Sequence, residues 1–117
     1  MAFTYTITHK AAYSVLSIKG RIIEGNLADE MIADINHHLY DQHVYYVLML
    51  NDVESVQNSG LSVLIKLLAI IRSLGGNIVL TILPESITSS DDGNKLKMLF
   101  QVYENEFLAA ASLLQVV

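Results

Sequence analysis

Apolar and polar positions alternate strictly at the start of the chain: Phe3, Tyr5 and Ile7 on one side, Thr4, Thr6 and Thr8 on the other. A period of two built from aromatic and β-branched residues predicts a half-buried strand. Tyr13 to Lys19 repeats the pattern, with Leu16 and Ile18 opposite Val15 and Ser17. The short His9–Ala12 link predicts a hairpin, and Gly20 marks its end. From Leu27 to Tyr40 the period changes: Leu27, Ala28, Met31, Ile32, Ile35 and Leu39 recur at spacings of three and four. That spacing predicts an amphipathic helix lying with one face on a sheet. Asn26 is the expected N-cap, with Asp29 in the first turn and His37 and His38 near the other end, each suited to the helix dipole.

Val44 to Leu50 (VYYVLML) and Ile78 to Leu83 (IVLTIL) are nearly continuous apolar runs bounded by turn residues. Such runs predict strands covered on both faces. Between them Ser59 to Leu74 carries a helical stripe of Leu64, Leu67, Leu68 and Ile71. Strand, helix and strand in this order predict a right-handed βαβ crossover with parallel strands. After Pro84 the stretch Glu85 to Asn94 is polar and predicts a short helix or a loop. Met98, Phe100 and Val102 alternate with Leu99, Gln101 and Tyr103, which predicts an edge strand, and Asn105 to Gln115 predicts a closing helix. The order ββαβαβ(α)βα is that of an α/β fold, a mixed sheet of about five strands with helices packed against it.

Composition narrows the function classes. The 117 residues are the length of one domain, read here as residues 1–117. A hydrophobic fraction of 52% is too high for a disordered chain. With 7 Lys+Arg against 12 Asp+Glu the net charge is -5, and no basic cluster stands ready to neutralise phosphates, which argues against nucleic-acid binding. The absence of cysteine removes disulfides, thiol nucleophiles and thiolate-ligated zinc together. MAFTYTITHK lacks the pattern of a signal peptide. The longest apolar stretch, Leu61 to Leu74, is broken by Lys66 and Arg72, so membrane insertion is not expected and a cytoplasmic location is.

Candidate chemistry concentrates in Asn51 to Gly60, expected as the loop between a buried strand and the most apolar helix. Ligands in open α/β sheets bind beyond the carboxyl ends of parallel strands, and the first N–H groups of a helix there favour negative charge. Asn58 or Ser59 is the expected cap of that helix. Val63, Ile65 and Ile70 lie off its main stripe, so a second covered face, by another helix or by a partner, is expected. His37, His38 and His43 with Asp34 and Asp41 lack a chelating spacing, adjacent helical histidines pointing about 100° apart, so no metal is predicted. Every histidine falls within the first 43 residues, no nucleophile elbow or phosphate-binding Gly loop is present, and neither an enzyme nor a cofactor is predicted.

Residues Val47 to Leu83, VLMLNDVESVQNSGLSVLIKLLAIIRSLGGNIVLTIL, resemble the centre of a STAS domain, the fold of bacterial anti-sigma factor antagonists. The hairpin end Ser17–Ile18–Lys19–Gly20 and the stretch Phe100 to Glu106 before an Ala-rich helix fit the same order. The resemblance implies a non-enzymatic regulator in a partner switch: the unphosphorylated antagonist binds a serine-kinase-type anti-sigma factor, and phosphorylation of a loop serine ends the binding. Where family members carry Asp-Ser-Ser-Gly, this chain has Gln57–Asn58–Ser59–Gly60, so the acceptor position holds Asn58, which has no hydroxyl. Ser59 and Ser62 are the nearby hydroxyls left to take a phosphate. The turn Arg21–Ile22–Ile23–Glu24 lacks the acidic pattern that accompanies nucleotide contacts in some members. By this resemblance the partner-binding residues are Gln57, Asn58, Ser59, Gly60, Leu61, Val63 and Ile65, with Ile70 peripheral. Two other readings remain open: a STAS accessory subunit docking on the ATPase of an ABC-type transporter, and a scaffold subunit of a STAS assembly, which would homo-oligomerise.

Overall fold

A computed structural model describes residues 3–81 and 83–114. Strands β1 (Phe3–His9) and β2 (Ser14–Ile22) form the expected antiparallel hairpin. Helix α1 (Asn26–Tyr40) leads to β3 (Tyr45–Val56), α2 (Asn58–Ser73) to β4 (Asn77–Leu80), and three shorter helices follow: α3 (Glu85–Thr88), α4 (Asp91–Leu99) and α5 (Glu106–Leu113). The strands lie in sequence order in one sheet, β1–β2 antiparallel and β2–β3 and β3–β4 parallel.

Alternation along each strand explains the layering. Leu16, Ile18, Tyr46, Leu48, Leu50, Ile78 and Leu80 point to one face, where Met31, Ile35 and Leu39 of α1 and Leu64, Leu67 and Ile71 of α2 complete the main core. Val47 and Val79 point to the opposite face and meet Ala109, Ala110 and Leu113 of α5. β3 and β4 are therefore covered on both sides, which is why their sequences read as unbroken apolar runs. β1 is covered on one side only, and its Thr4, Thr6 and Thr8 face solvent.

Four boundaries depart from the sequence expectation. β2 does not stop at Gly20 but runs on to Ile22 through register shifts at Ser17/Lys19 and Gly20/Arg21. Gly20 has φ +99, a conformation open to glycine, so it bends the strand instead of ending it. That extension gives β3 a ladder partner as far as Val56, and the expected long loop shrinks to Gln57. Gly25, with φ +147, takes the N-cap of α1 in place of Asn26 and makes no side-chain cap bond. The expected edge strand from Met98 is reduced to one parallel bridge between Val102 and Leu80. Met98 and Leu99 belong to α4, which starts at a well-made cap: the Gly93 N–H donates to Ser90 Oγ at 3.2 Å. Among the described residues the sheet thus has four strands and a bridge, against about five strands expected.

α5 begins as expected, the Leu108 N–H donating to Asn105 Oδ1 at 2.9 Å. Ile82 and Gln115, expected in the last inner strand and the closing helix, lie outside the described residues. No helix among the described residues is long and apolar enough to cross a membrane.

Candidate functional site

The carboxyl ends of β2 and β3 finish side by side, Ile22 opposite Val56. The chain then needs one residue, Gln57, to turn into α2. Such a tight turn sets the helix N-terminus directly against the strand that precedes α1. Gly60 makes this possible: a Cβ there would lie inside the contact distance of the Ile22 carbonyl oxygen and 2.9 Å from its carbonyl carbon. A side chain at position 60 would wedge α2 off β2.

The structure places Ser59 differently from the expected cap. Neither Asn58 nor Ser59 caps α2; the N-cap position belongs to Gln57, without a side-chain cap bond. Ser59 Oγ instead accepts a hydrogen bond from the Glu24 N–H at 3.2 Å, tying the helix start to the β2–α1 connection. The Ser62 hydroxyl donates to the Asn58 carbonyl at 3.1 Å, one helical turn back. Helix nucleation here comes from the backbone, the Leu61 N–H donating to the Gln57 carbonyl at 2.8 Å, and from apolar packing of the turns that follow.

Gln57 and Asn58 are exposed and Ser59 is half-buried. These three residues line a hollow with Asp92 from the first turn of α4. α2 has no acidic residue in its own first turn, so Asp92 brings an acidic group from α4 to a helix end that favours negative charge. A second, more apolar hollow is bordered by Glu24, with Ile23, Leu27 and Phe3 in its wall. Lys19 and Asp52 pair at 3.9 Å beside the strand ends, both well exposed, a geometry that contributes little to stability.

Farther along α2 the expected outward set divides. Ile65 is exposed, at 41% of its full accessibility, whereas Val63 retains 1% and packs inside. Ile70 is half-buried against the main core. The cause is lateral packing: α2 is flanked by α1 on one side and by α4 on the other, so the buried stripe is wider than one sheet-facing row. Leu61 and Gly60 are buried as well. The solvent-facing stripe is Asn58, Ser62, Ile65, Lys66, Ala69 and Arg72, and of the expected set it is Gln57, Asn58, Ser59 and Ile65 that a partner could touch directly.

As neighbours of this turn the sequence did not reveal Asp92, nor Ile23 and Glu24, which enter the sequence reading only for nucleotide contacts. The two glycines bracketing Arg21 to Glu24 and the Ser90–Asp91–Asp92–Gly93 cap signal carried the local information. What it lacked was the distance in sequence, since Glu24 and Asp92 reach the site from elements on either side of α2. The histidines gather at the opposite pole, where β1 ends and α1 finishes. Among the described residues no three His, Asp or Glu side chains converge in a way that could hold a metal ion.

No protein-family model matches the sequence, and no curated protein matches it closely. Solved structures do match in shape along nearly the whole chain. An anti-sigma factor antagonist from Mycobacterium paratuberculosis superposes with a TM-score of 0.72 at 19% identity, covering 97% of this chain and 96% of that one. The anti-sigma factor antagonist SpoIIAA in its unphosphorylated form gives 0.75 at 10% identity, covering 97% and 99%. A structure from Thermotoga maritima, described as a candidate anti-sigma factor antagonist, gives 0.65 at 23% identity, covering 97% and 95%. At these identities the shared property is the fold: the chain has the mixed α/β STAS fold of anti-sigma factor antagonists.

Proposed function

We propose that this protein is a non-enzymatic, protein-binding regulator that works as an anti-sigma factor antagonist in a cytoplasmic partner switch. Its partner is a serine-kinase-type anti-sigma factor, and its docking face is the N-terminal turn of α2 with the β2–α1 connection beside it. The observation that carries this reading is the exposed Gln57–Asn58 turn at the carboxyl ends of β2 and β3, on a fold shared with anti-sigma factor antagonists.

Phosphate control at this turn differs from the family scheme in chemistry. Asn58 offers no hydroxyl, and the Ser59 hydroxyl is already engaged with the Glu24 N–H. A phosphate on Ser59 would enter a hollow bordered by Asp92, setting like charge beside like charge. The docking face is therefore permanently competent, and control lies in the partner or in the amount of this protein. The same lost hydroxyl favours a second reading, an accessory subunit that docks on a transporter ATPase without a phosphate switch.

The experiment is quantitative binding of the purified chain to serine-kinase-type anti-sigma factors and to transporter ATPases encoded in the same genome, beside Asn58→Asp and Asn58→Ser variants. Binding to an anti-sigma factor that falls at least tenfold with Asn58→Asp supports the partner switch and its site together. In the presence of ATP the Asn58→Ser variant is expected to gain a phosphate that the natural sequence does not. Binding to the ATPase instead replaces the first reading by the second. Equal binding by wild type and Asn58→Asp moves the docking face elsewhere.

A further inference from the structure

Three of the four histidines meet at the pole opposite the docking turn, each carried there by a different segment. His9 closes β1, His38 sits in the last turn of α1, and His43 follows that helix in the connection to β3. His9 Nε2 lies 3.2 Å from His38 Nδ1, and His9 Nδ1 lies 2.6 Å from the hydroxyl of the buried Ser14. The His43 ring stacks on His9 with centroids 3.8 Å apart and planes inclined by 19°.

The backbone fixes this arrangement. α1 ends in a turn where Gln42 takes φ +72, a left-handed conformation usually given to glycine. The Gln42 N–H donates to the Leu39 carbonyl at 3.0 Å and the His43 N–H to the His38 carbonyl at 3.0 Å. The turn thereby folds His43 back over the last helical turn and onto His9. Along the same seam Tyr5 donates a hydrogen bond to Asp34, one helical turn before His38 and four residues before His9. Two polar rungs, Tyr5–Asp34 and His9–His38, thus join the hairpin to α1.

Donor counting sets the proton capacity of the trio. With His9 neutral, both contacts are satisfied: its Nε2 accepts from the His38 Nδ1–H and its Nδ1 pairs with the Ser14 hydroxyl. A proton added at His9 Nε2 would set N–H against N–H across 3.2 Å and put a cation against the stacked His43 ring. Facing groups only partly offset this. Asp41 reaches His37 at 3.7 Å and exerts a weaker favourable pull on His9, Asp34 is engaged by Tyr5, and Lys10 in the hairpin turn adds positive charge.

We propose that His9, His38 and His43 form a proton-operated latch between the β1–β2 hairpin and the end of α1, closed while His9 is neutral and loosened when acid protonates it. Partial desolvation of the exposed ring, with His43 and His38 adding to it, holds the His9 imidazole below the usual histidine value. The folded protein therefore binds fewer protons than the unfolded chain just below 6.5, and stability falls as the pH drops through that window.

The test is a histidine titration by two-dimensional NMR of the metal-free protein, followed through ring and backbone signals from neutral pH to about pH 5. His9 is expected to titrate below 6.5, and the amides of Ala11 and Ala12 to follow the same midpoint with rising mobility. His43→Gln and His38→Gln each raise the His9 midpoint toward 6.5. Either variant suffices if the other folds poorly. A His9 midpoint at or above 6.5, no response to any variant that folds, or hairpin amides unchanged in acid would overturn the latch.

Discussion

Replacing Gly60 by Ala sets two effects of opposite sign against each other. Glycine inside a helix costs about 1 kcal/mol relative to alanine, so propensity alone predicts that Gly60→Ala stabilises α2. Against this, the new methyl would overlap the Ile22 carbonyl, a backbone group of β2 held in register opposite Val56. A flexible side chain could turn aside; a carbonyl in a parallel ladder cannot, and α2 must move instead. Forcing extra carbon into packed structure costs about 1–3 kcal/mol, with rigid obstacles toward the upper end. The clash wins, and the expected net loss is about 2 kcal/mol. At roughly 4 °C per kcal/mol for a domain of this size, the melting temperature falls by about 8 °C. Urea unfolding followed by far-ultraviolet circular dichroism reads the same loss as a lower midpoint at constant slope. Ala69→Gly on the exposed side of α2 calibrates propensity by itself and should cost about 1 kcal/mol. An unchanged or raised stability in Gly60→Ala would refute the close approach of α2 to β2 and, with it, the geometry of the proposed docking turn.

Other variants probe other parts of the fold. Tyr46 is fully buried, and its hydroxyl has no hydrogen-bond partner among the described residues. Tyr46→Phe should therefore hold or raise stability by about 1 kcal/mol in urea unfolding, whereas a loss above that size would reveal a partner for the oxygen. Burial pushes the Tyr46 phenol up to about 12, so the folded state keeps its proton after the unfolded chain begins to lose it. Stability contributed by this group is full below 10 and declines as the pH rises toward 12, visible in melting curves alongside tyrosinate absorbance. Gln42→Gly relieves a left-handed side-chain conformation and should stabilise by about 1 kcal/mol in thermal melts; a loss would mean that Gln42 makes contacts outweighing the strain. Asn105→Ala removes a made cap bond and should cost about 1 kcal/mol, while Asn26→Ala, at a position that caps nothing, should cost little; equal costs in chemical denaturation would contradict the two helix starts.

What the sequence disclosed follows from how local each signal is. Alternation in Phe3 to Thr8, the three-and-four spacing in Leu27 to Leu39 and the two apolar runs depend on which faces are covered, and they located β1, α1, β3 and β4 correctly. Where a neighbouring element decides, local reading failed. Gly20 reads as a stop, yet β2 continues because β3 is there to pair with it. Met98 to Tyr103 alternates like a strand, but the Ser90 cap and the burial of Leu96 commit the first part to α4. Val63 lies off the single sheet-facing stripe of a helical wheel, whereas the helices packed beside α2 widen the stripe that is buried. The strand-to-helix turn at Gln57 to Gly60, the proposed docking face, could be located from the chain alone. Its real neighbours Glu24 and Asp92 could not, because Glu24 lies 35 positions before Ser59 in the β2–α1 connection and Asp92 arrives from α4, beyond β4.

Those two neighbours change what the turn can do. A helix N-terminus offers free N–H groups and a favourable field to an anion, which suits a phosphate-controlled switch. Here the nearest hydroxyl in the motif, Ser59, is taken by the Glu24 N–H, and the hollow that an added phosphate would enter is bordered by Asp92. Phosphate would therefore meet like charge at the start of α2. Asn58 fits this setting: it is polar, exposed and uncharged, and it leaves both the Ser59 bond and the Gly60 contact in place. Asn58→Asp keeps the shape of the side chain and changes its charge alone. Its effect on helix stability should be neutral or slightly favourable, because a first-turn carboxylate suits the dipole. A large loss of partner binding by a variant that melts no earlier than wild type would then separate the electrostatics of docking from the integrity of the fold. Loss of both together would mean that the turn is held by contacts Asn58 makes within the chain.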